Sequence, residues 1–183
     1  MHGLRFQDQI KPEAKELVIE KYVQILLQGT MLDKVKSGKA QTRFFKLNDS
    51  KSEIVGADIL KSGNTSTKGN FQSELRIKDF NQVLTGKHLA TLKISKKIDP
   101  DSAFALVNEK NAQIFSTTTR ENFVRWVDSL RFLLDGNVKE PETLKEIEEL
   151  TTLFNEIDTL KTFNEIPEIP KNLPNPPQSF TRK

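Results

Sequence analysis

The sequence predicts an α+β fold in which seven short strands lie between amphipathic helices and an extended tail follows. Between residues 30 and 117, apolar residues alternate with polar ones and turn residues separate the runs, as in closely spaced antiparallel strands. Before and after that region, apolar residues recur every three or four positions, which is the period of a helix. Residues 166–177 then contain five of the eight prolines, and proline is excluded from helix interiors and inner strands.

The first helix is predicted over residues 12–28, after a disordered start at residues 1–11. Pro12 suits the first position of a helix, because the N–H that proline lacks has no partner there. Gln28 and Gly29 supply the stop signal. The helix is apolar on more than one side, which indicates that it packs against more than one neighbour.

The seven strand candidates are short and closely spaced, which favours an antiparallel barrel or sandwich. Turn residues such as Asn48, Asp49 and Ser50 separate neighbouring strands. The polar, glycine-rich segment 61–70 is predicted to be a loop. The strand candidates are residues 30–35, 42–47, 52–58, 74–77, 81–86, 103–108 and 112–117.

Two further helices are predicted after the strands. The first starts with Thr118 and Glu121, which have the spacing of a capping box, and it stops at Gly136. The second starts at Pro141 and occupies most of a C-terminal flanking segment, residues 137–164.

The two flanking helices need apolar partners of their own. They can pair with each other, or they can hold a helix of another protein in a groove between them, and the sequence leaves both alternatives open. The residues predicted to contact such a partner helix are Leu17, Val18, Tyr22 and Ile25 on the first helix and Ile147, Leu150, Phe154 and Ile157 on the last.

The tail covers residues 165–183. Its prolines favour a polyproline II helix with three residues per turn, so that Pro167 and Pro170 share one face. SH3-type domains recognise this conformation, and a stiff, unbound tail is the alternative. The residues predicted to contact an SH3 domain are Ile166, Pro167, Ile169, Pro170, Leu173, Pro174, Pro176 and Pro177.

Composition excludes several kinds of site. The 183 residues include no cysteine, so the chain has no disulfide, no thiolate metal site and no thiol nucleophile, which fits a reducing compartment. The two histidines stand apart, and there is no glycine-rich phosphate loop. We therefore expect no catalytic residue, no cofactor and no metal. The net charge is only +3, and nucleic-acid binding is not expected either.

A basic run near the first two strands is a second candidate site. It consists of Lys34, Lys36, Lys39 and Arg43, and it could face an anionic membrane. A solvated basic face is the alternative.

Seven strands closed by one helix with a single tryptophan resemble pleckstrin homology (PH) domains. Gly29–Lys34 resembles the first strand of that family, Arg43–Leu47 its second strand, and Glu121–Trp126 its closing helix. The resemblance implies a PH-like seven-stranded antiparallel barrel over residues 29–136, with Trp126 buried at one end. It also implies that the basic run lies where some PH domains bind phosphoinositides.

A wider, ordered set of features resembles the C-terminal region of the engulfment and cell motility (ELMO) family. It comprises Leu26–Val35, Val83–Lys87 and Phe163–Pro170, with one helix before the domain and another after it. The rest of an ELMO protein has no counterpart in these residues, so we expect a C-terminal fragment or a short relative.

The resemblance implies a non-catalytic scaffold that binds a DOCK-family exchange factor through the SH3 domain and an adjacent helix of that partner. The scaffold then acts indirectly on the GTPase Rac, in actin remodelling, migration and engulfment. It also implies a cytoplasmic protein that is recruited to the plasma membrane in the complex.

Overall fold

The structure is a computed structural model that describes the backbone of residues 3–36, 39–62, 65–92 and 98–163. These residues form three α-helices and nine β-strands. The helices are α1 (Gly3–Gln28), α2 (Arg120–Asp135) and α3 (Pro141–Phe163). The strands are β1 (Thr30–Lys36), β2 (Lys39–Leu47), β3 (Glu53–Ala57), β4 (Ile59–Ser62), β5 (Thr65–Lys68), β6 (Gln72–Arg76), β7 (Gln82–Thr85), β8 (Ala103–Val107) and β9 (Ala112–Ser116).

Seven of the strands form one antiparallel sheet in the order β6-β3-β2-β1-β9-β8-β7. The α+β fold predicted from the sequence is therefore confirmed. Apolar residues from both halves of this sheet belong to a single core, so the sheet wraps around that core as a barrel. Among the described residues no ladder joins β6 to β7, and the barrel is open between these two edges.

Aromatic residues fill the barrel, and α2 closes one end. The Phe115 ring lies 5.3 Å from the Phe45 ring and 5.5 Å from the Phe104 ring, measured between centroids. Trp126 on α2 is fully buried, and its indole N–H donates to Thr30 Oγ1 at 2.7 Å. The predicted burial of the tryptophan is confirmed.

A single glycine joins α1 to the central strand of the sheet. Gly29 has a φ of 91°, and its amide donates to the Ile25 carbonyl at 3.1 Å. A Cβ at this position would lie 2.4 Å from an atom of the Phe44 ring. Glycine is therefore needed here both for the left-handed backbone and for the close approach to β2.

The predicted disordered start at residues 1–11 is wrong from residue 3 onward, because α1 begins at Gly3 and Pro12 lies inside the helix. The proline removes one N–H donor from the helix. Ile10, which precedes it, is buried and lines a cavity with Phe154 and Ile157 of α3. Burial of this side chain stabilises the extra turns against the effect of the proline.

The predicted loop at residues 61–70 is also wrong, because β4 and β5 form a two-stranded hairpin there. Hairpin pairing uses backbone groups, and β-branched residues such as threonine favour strands even in a polar segment. The capping box is wrong by one residue. Thr119 caps α2 by accepting the Asn122 amide at 3.2 Å, and Glu121 pairs with Arg125.

Replacing Trp126 with alanine tests how far the core depends on this side chain. We expect a loss of about 3–5 kcal/mol in the free energy of unfolding, because a large buried ring is removed and a cavity remains. Urea unfolding followed by circular dichroism measures the change. Phe71, which is 40% exposed, is the matched control, and Phe71→Ala should cost much less. Equal losses for the two variants would contradict a core centred on Trp126.

Candidate partner-binding surface

Helices α1 and α3 pack against each other in antiparallel directions. Near the C-terminal end of α1, the Tyr22 hydroxyl donates to Glu146 Oε1 at 2.9 Å and Lys21 Nζ donates to Glu146 Oε2 at 2.9 Å. Further towards the start of α1, Ile10 lines a cavity with Phe154, which lies later in α3. The two helices thus bury much of each other's apolar surface. Pairing of the two flanking helices is one of the two arrangements that the sequence left open.

Part of the predicted groove is consequently unavailable to another protein. Val18, Tyr22 and Ile147 are buried in the same core as the barrel, and Leu150 and Phe154 are partly buried against it. Three of the eight predicted contact positions are therefore internal packing positions. Their apolar character reflects the pairing of α1 with α3.

An apolar strip remains on the outer side of the helix pair. It consists of Leu17, Leu150, Leu153 and Ile157. The first three line a shallow cavity of about 360 Å³. Leu17 and Leu153 are both 48% exposed and Ile157 is 38% exposed. Leu153 was missing from the predicted contact set, although its spacing from Leu150 and Ile157 places all three on one helical face.

Carboxylates border the apolar strip on both sides. Glu146 and Glu149 share its cavity with one cation, Lys21. Along α1, a neighbouring cavity of about 550 Å³ adds more carboxylates to the Leu17 side. This acidic rim consists of Glu13, Glu16 and Glu20 on α1 and Glu146, Glu149 and Glu156 on α3.

A buried charged network fixes the start of α3 on the barrel. Asp128 of α2 is fully buried, and its carboxylate accepts the backbone amides of Lys139 and Glu140, each at 3.0 Å. Arg131 donates to Glu140 Oε1 at 2.7 Å and to Thr85 Oγ1 at 3.0 Å. The segment before α3 is therefore held by α2 and β7 together.

Arg120 extends this network to the first turn of α3. Its guanidinium donates to Glu140 at 2.7 Å and to Glu142 at 2.8 and 2.9 Å. The hydrogen bonds with Glu142 raise the pKa of Arg120 and lower the pKa of Glu142. The sequence analysis did not identify this network. The available signal was a charged pair, Asp128 and Arg131, beside the apolar positions of α2.

The basic run is largely neutralised within the chain. Lys34 Nζ lies 2.5 Å from Glu74 Oε2, Arg43 also pairs with Glu74, and Arg43 Nε lies 2.6 Å from Asp58 Oδ1. Burial raises the pKa of Glu74, but the hydrogen bonds from the two cations outweigh burial and hold that pKa below its usual range.

The other two members of the basic run, Lys36 and Lys39, are exposed. They form no ion pair with the described residues. The predicted cluster of four free cations is thus reduced to two.

The predicted SH3-binding residues lie outside the described residues, since these end at residue 163. Among the residues searched, no group of three or more His, Asp or Glu side chains could hold a metal ion. A separate search of the same part of the chain finds no helix with the length and hydropathy needed to cross a membrane.

The model of the pleckstrin homology domain family matches residues 18–135. This range starts inside α1 and ends at the last residue of α2, so it contains the wrapped sheet and its closing helix. Among solved structures, inner membrane complex sub-compartment protein 1 from Toxoplasma gondii is similar, with a TM-score of 0.47 and 16% identity. That similarity covers 64% of this chain and 90% of the other.

Curated relatives match nearly the whole chain. Human engulfment and cell motility protein 1 is 24% identical over 188 residues, which is 97% of this chain. Human engulfment and cell motility protein 3 is 26% identical over 179 residues, which is 91% of this chain. The matches cover 26% and 25% of those relatives, so the chain spans about a quarter of their length. The resemblance inferred from the sequence is confirmed.

Acid should weaken the link that Glu146 makes between α1 and α3. Burial raises the pKa of Glu146, but hydrogen bonds from Lys21 and Tyr22 outweigh burial and lower it below its usual value of 4.5. The charged carboxylate therefore stabilises the fold above that value, and its contribution is lost as the pH falls through the lowered pKa.

Above pH 4.5, we expect the free energy of unfolding of the wild type to be larger than that of Glu146→Gln. This difference should shrink on further acidification. Because the pair is partly exposed, the difference should be about 1 kcal/mol or less. Urea unfolding at a series of pH values measures it, with Glu149→Gln as the control on the same helix. A difference for Glu146→Gln that is independent of pH contradicts the assignment.

Proposed function

The chain belongs to the pleckstrin homology domain family, and from this premise we propose that it is a non-catalytic adaptor for a second protein. The partner we propose is a DOCK-family guanine-nucleotide exchange factor, bound through the apolar strip and the proline-rich tail. Binding would promote activation of Rac and thereby actin remodelling, migration and engulfment. Similarity to the engulfment and cell motility proteins supports this proposal, because it includes both flanking segments.

The observation that carries the proposal is the apolar strip. Leu17 and Leu153 lie on different helices and line one cavity, yet each remains about half exposed. Full burial of a leucine side chain contributes roughly 1.5–3 kcal/mol. An amphipathic helix laid along α1 and α3 could obtain part of this energy at several positions, as helix-binding grooves do.

The acidic rim adds selectivity to the apolar contact. Glu13 and Glu16 lie on one side of the strip, and Glu149 and Glu156 lie on the other. A partner helix with lysine or arginine beside its apolar residues would match this pattern. Exposed charges of this kind raise the association rate and reject acidic competitors more than they increase affinity.

The tail supports the proposal through proximity. The twenty residues that follow α3 contain the predicted SH3 ligand, so both contacts would form on one partner. Once the first contact is made, the second occurs at an effective concentration in the millimolar range for a short flexible connection. Two weak contacts can then produce a tight complex.

The alternative function, a phosphoinositide-binding adaptor, receives less support. Lys34 and Arg43 already pair with Glu74. Lys36 and Lys39 are exposed, and two such lysines favour no more than weak, salt-sensitive attraction to anionic membranes. No described feature holds several phosphates at once.

Substitution within the apolar strip tests the helical contact. We expect Leu153→Asp to weaken binding of an exchange-factor fragment, containing its SH3 domain and adjacent helix, by at least about tenfold, because it places a charge in the apolar contact. Isothermal titration calorimetry measures the dissociation constant.

Leu144→Asp is the matched control, because Leu144 is on the same helix, is also 48% exposed and lines a different cavity. Equal loss of affinity in both variants would show a general effect on α3. Unchanged affinity in Leu153→Asp would remove the strip from the interface.

Substitution within the tail tests the second contact independently. We expect replacement of Pro167, Pro170, Pro174 and Pro177 by alanine to abolish binding to the isolated SH3 domain, because alanine does not hold the polyproline conformation. The same variant should retain weak binding to the isolated partner helix. Calorimetry with each isolated partner separates the two contacts, and undiminished SH3 binding would refute the tail's proposed role.

A further inference from the structure

We propose that the proline-rich tail docks on a second groove of its own helix pair and is thereby withheld from SH3 domains. This rear groove lies between α1 and α3, on the side away from the apolar strip. Docking of the tail requires no exchange factor, whereas its effect on SH3 binding rests on the proposed function.

The rear groove is larger than either cavity beside the apolar strip. Its volume is about 830 Å³, against about 360 and 550 Å³ for the other two. Its lining includes Lys11 and Pro12 of α1 and Leu144 and Thr151 of α3. Leu144 is 48% exposed, so the groove offers an apolar side chain that packing within the domain leaves half uncovered.

The rear groove and the apolar strip lie on opposite sides of α3. Leu144 and Leu153 are nine residues apart, which corresponds to about two and a half turns of a helix. The two side chains line different cavities. A segment in the rear groove would therefore leave the apolar strip accessible to another protein.

The tail is long enough to reach the whole rear groove. Helix α3 ends at Phe163, and Leu144 precedes that end by 19 residues, or about 28 Å along the axis. A polyproline segment that turned back along α3 would cover this distance in about nine residues. The twenty residues of the segment 164–183 can thus turn, follow the groove and end beyond Leu144.

Lys11 lies at the end of the rear groove that a returning tail would meet first. It follows Ile10, which borders a cavity with Phe154 in the second half of α3. Its side chain is exposed and forms no hydrogen bond or ion pair with the described residues. By contrast, Lys15 Nζ donates to the Gly136 carbonyl at 3.0 Å. Lys11 is therefore the lining cation that is available to an anion.

The tail carries its charges in the matching order. Glu165 and Glu168 come first, and residues 164–170 contain no cation. Lys171 follows, and the rear groove has a carboxylate, Glu148, nearer the start of α3. Opposite charges would thus meet in sequence along the groove. Such pairs set the direction of docking more than they add affinity.

Apolar residues of the tail would contact the groove. Ile166 and Ile169 lie three positions apart and share one face of a polyproline helix. With Leu173, they could cover Leu144 and remove its exposed surface from water. The same three tail residues are predicted SH3 contacts, so the tail cannot occupy the rear groove and an SH3 domain at once.

A spin label on the full chain tests the docking. The chain has no cysteine, so Asn175→Cys provides a single site for a nitroxide. We expect the label to broaden the amide resonance of Leu144 much more than that of Leu17, which borders the apolar strip. The effect should not depend on protein concentration, because the contact is within one chain.

Leu144→Asp should abolish this broadening, and Leu153→Asp, on the opposite side of α3, should retain it. The Leu144→Asp chain should also bind the isolated SH3 domain about threefold more tightly than wild type, since a tail docked two thirds of the time has a threefold weaker apparent affinity. In the test of the apolar strip, this variant should accordingly gain affinity.

Lys11→Glu should also reduce the broadening, because it reverses the charge that faces Glu165 and Glu168. Lys110→Glu makes the same change of charge at an exposed position in the turn between β8 and β9, and it should have no effect. This pair decides the question if Leu144→Asp does not fold.

Four results would overturn the proposal. Equal broadening, or none, at Leu144 and Leu17 would place the tail elsewhere. Broadening that rises with protein concentration would make a second copy the occupant. Unchanged broadening in folded Lys11→Glu would remove the charge match. Unchanged SH3 affinity in a Leu144→Asp chain that has lost the broadening would show that docking does not withhold the tail. Absence of SH3 binding in every variant would instead refute the proposed function and leave the spin-label result standing.

Discussion

The buried carboxylate of Asp128 determines how the helical surface is attached to the barrel. A fully buried carboxylate needs several hydrogen-bond donors, and Asp128 obtains them from the two amides that precede α3 and from Arg131. The direction of α3 is thereby fixed relative to α2. Helix α1 packs on both of these helices and is linked to α3 through Glu146, so this junction and that link together set the position of the apolar strip. The strip is accordingly a preformed surface, and a preformed surface would lower the ordering cost of the proposed partner contact.

Internal pairing of charge also explains why the basic residues of the first strands are a poor guide to function. The chain has a net charge of +3, yet Lys34 and Arg43 are compensated by a carboxylate that is almost fully buried. In the acidic rim on α1 and α3, three carboxylates also form ion pairs, but these pairs are more exposed than those of Glu74: Glu20 with Lys51, Glu146 with Lys21, and Glu149 with Lys145. The rim carboxylates are thus presented to solvent, whereas the carboxylate of Glu74 is enclosed between two cations.

Local patterns predicted the seven strands of the sheet, α2, α3 and the burial of Trp126, because each depends on periodicity or on one large side chain. They could not predict the pairing of Glu74, which is 40 residues from Lys34 and 31 from Arg43. Local patterns also could not show that Leu17 is exposed whereas Val18 is buried. These adjacent apolar residues differ by about 100° around the helix, and only the way α1 packs on its neighbours makes one exposed and the other buried.

The joint at Gly29 has a mechanical consequence. Because α1 ends at Gln28 and the central strand begins at Thr30, the connection between the helix and the sheet is a single residue. Tension applied to α1 would pass directly into β1, which is held by hydrogen bonds on both sides. Such a strand resists shear through many bonds at once. The domain would therefore transmit force as a rigid body instead of releasing its first helix.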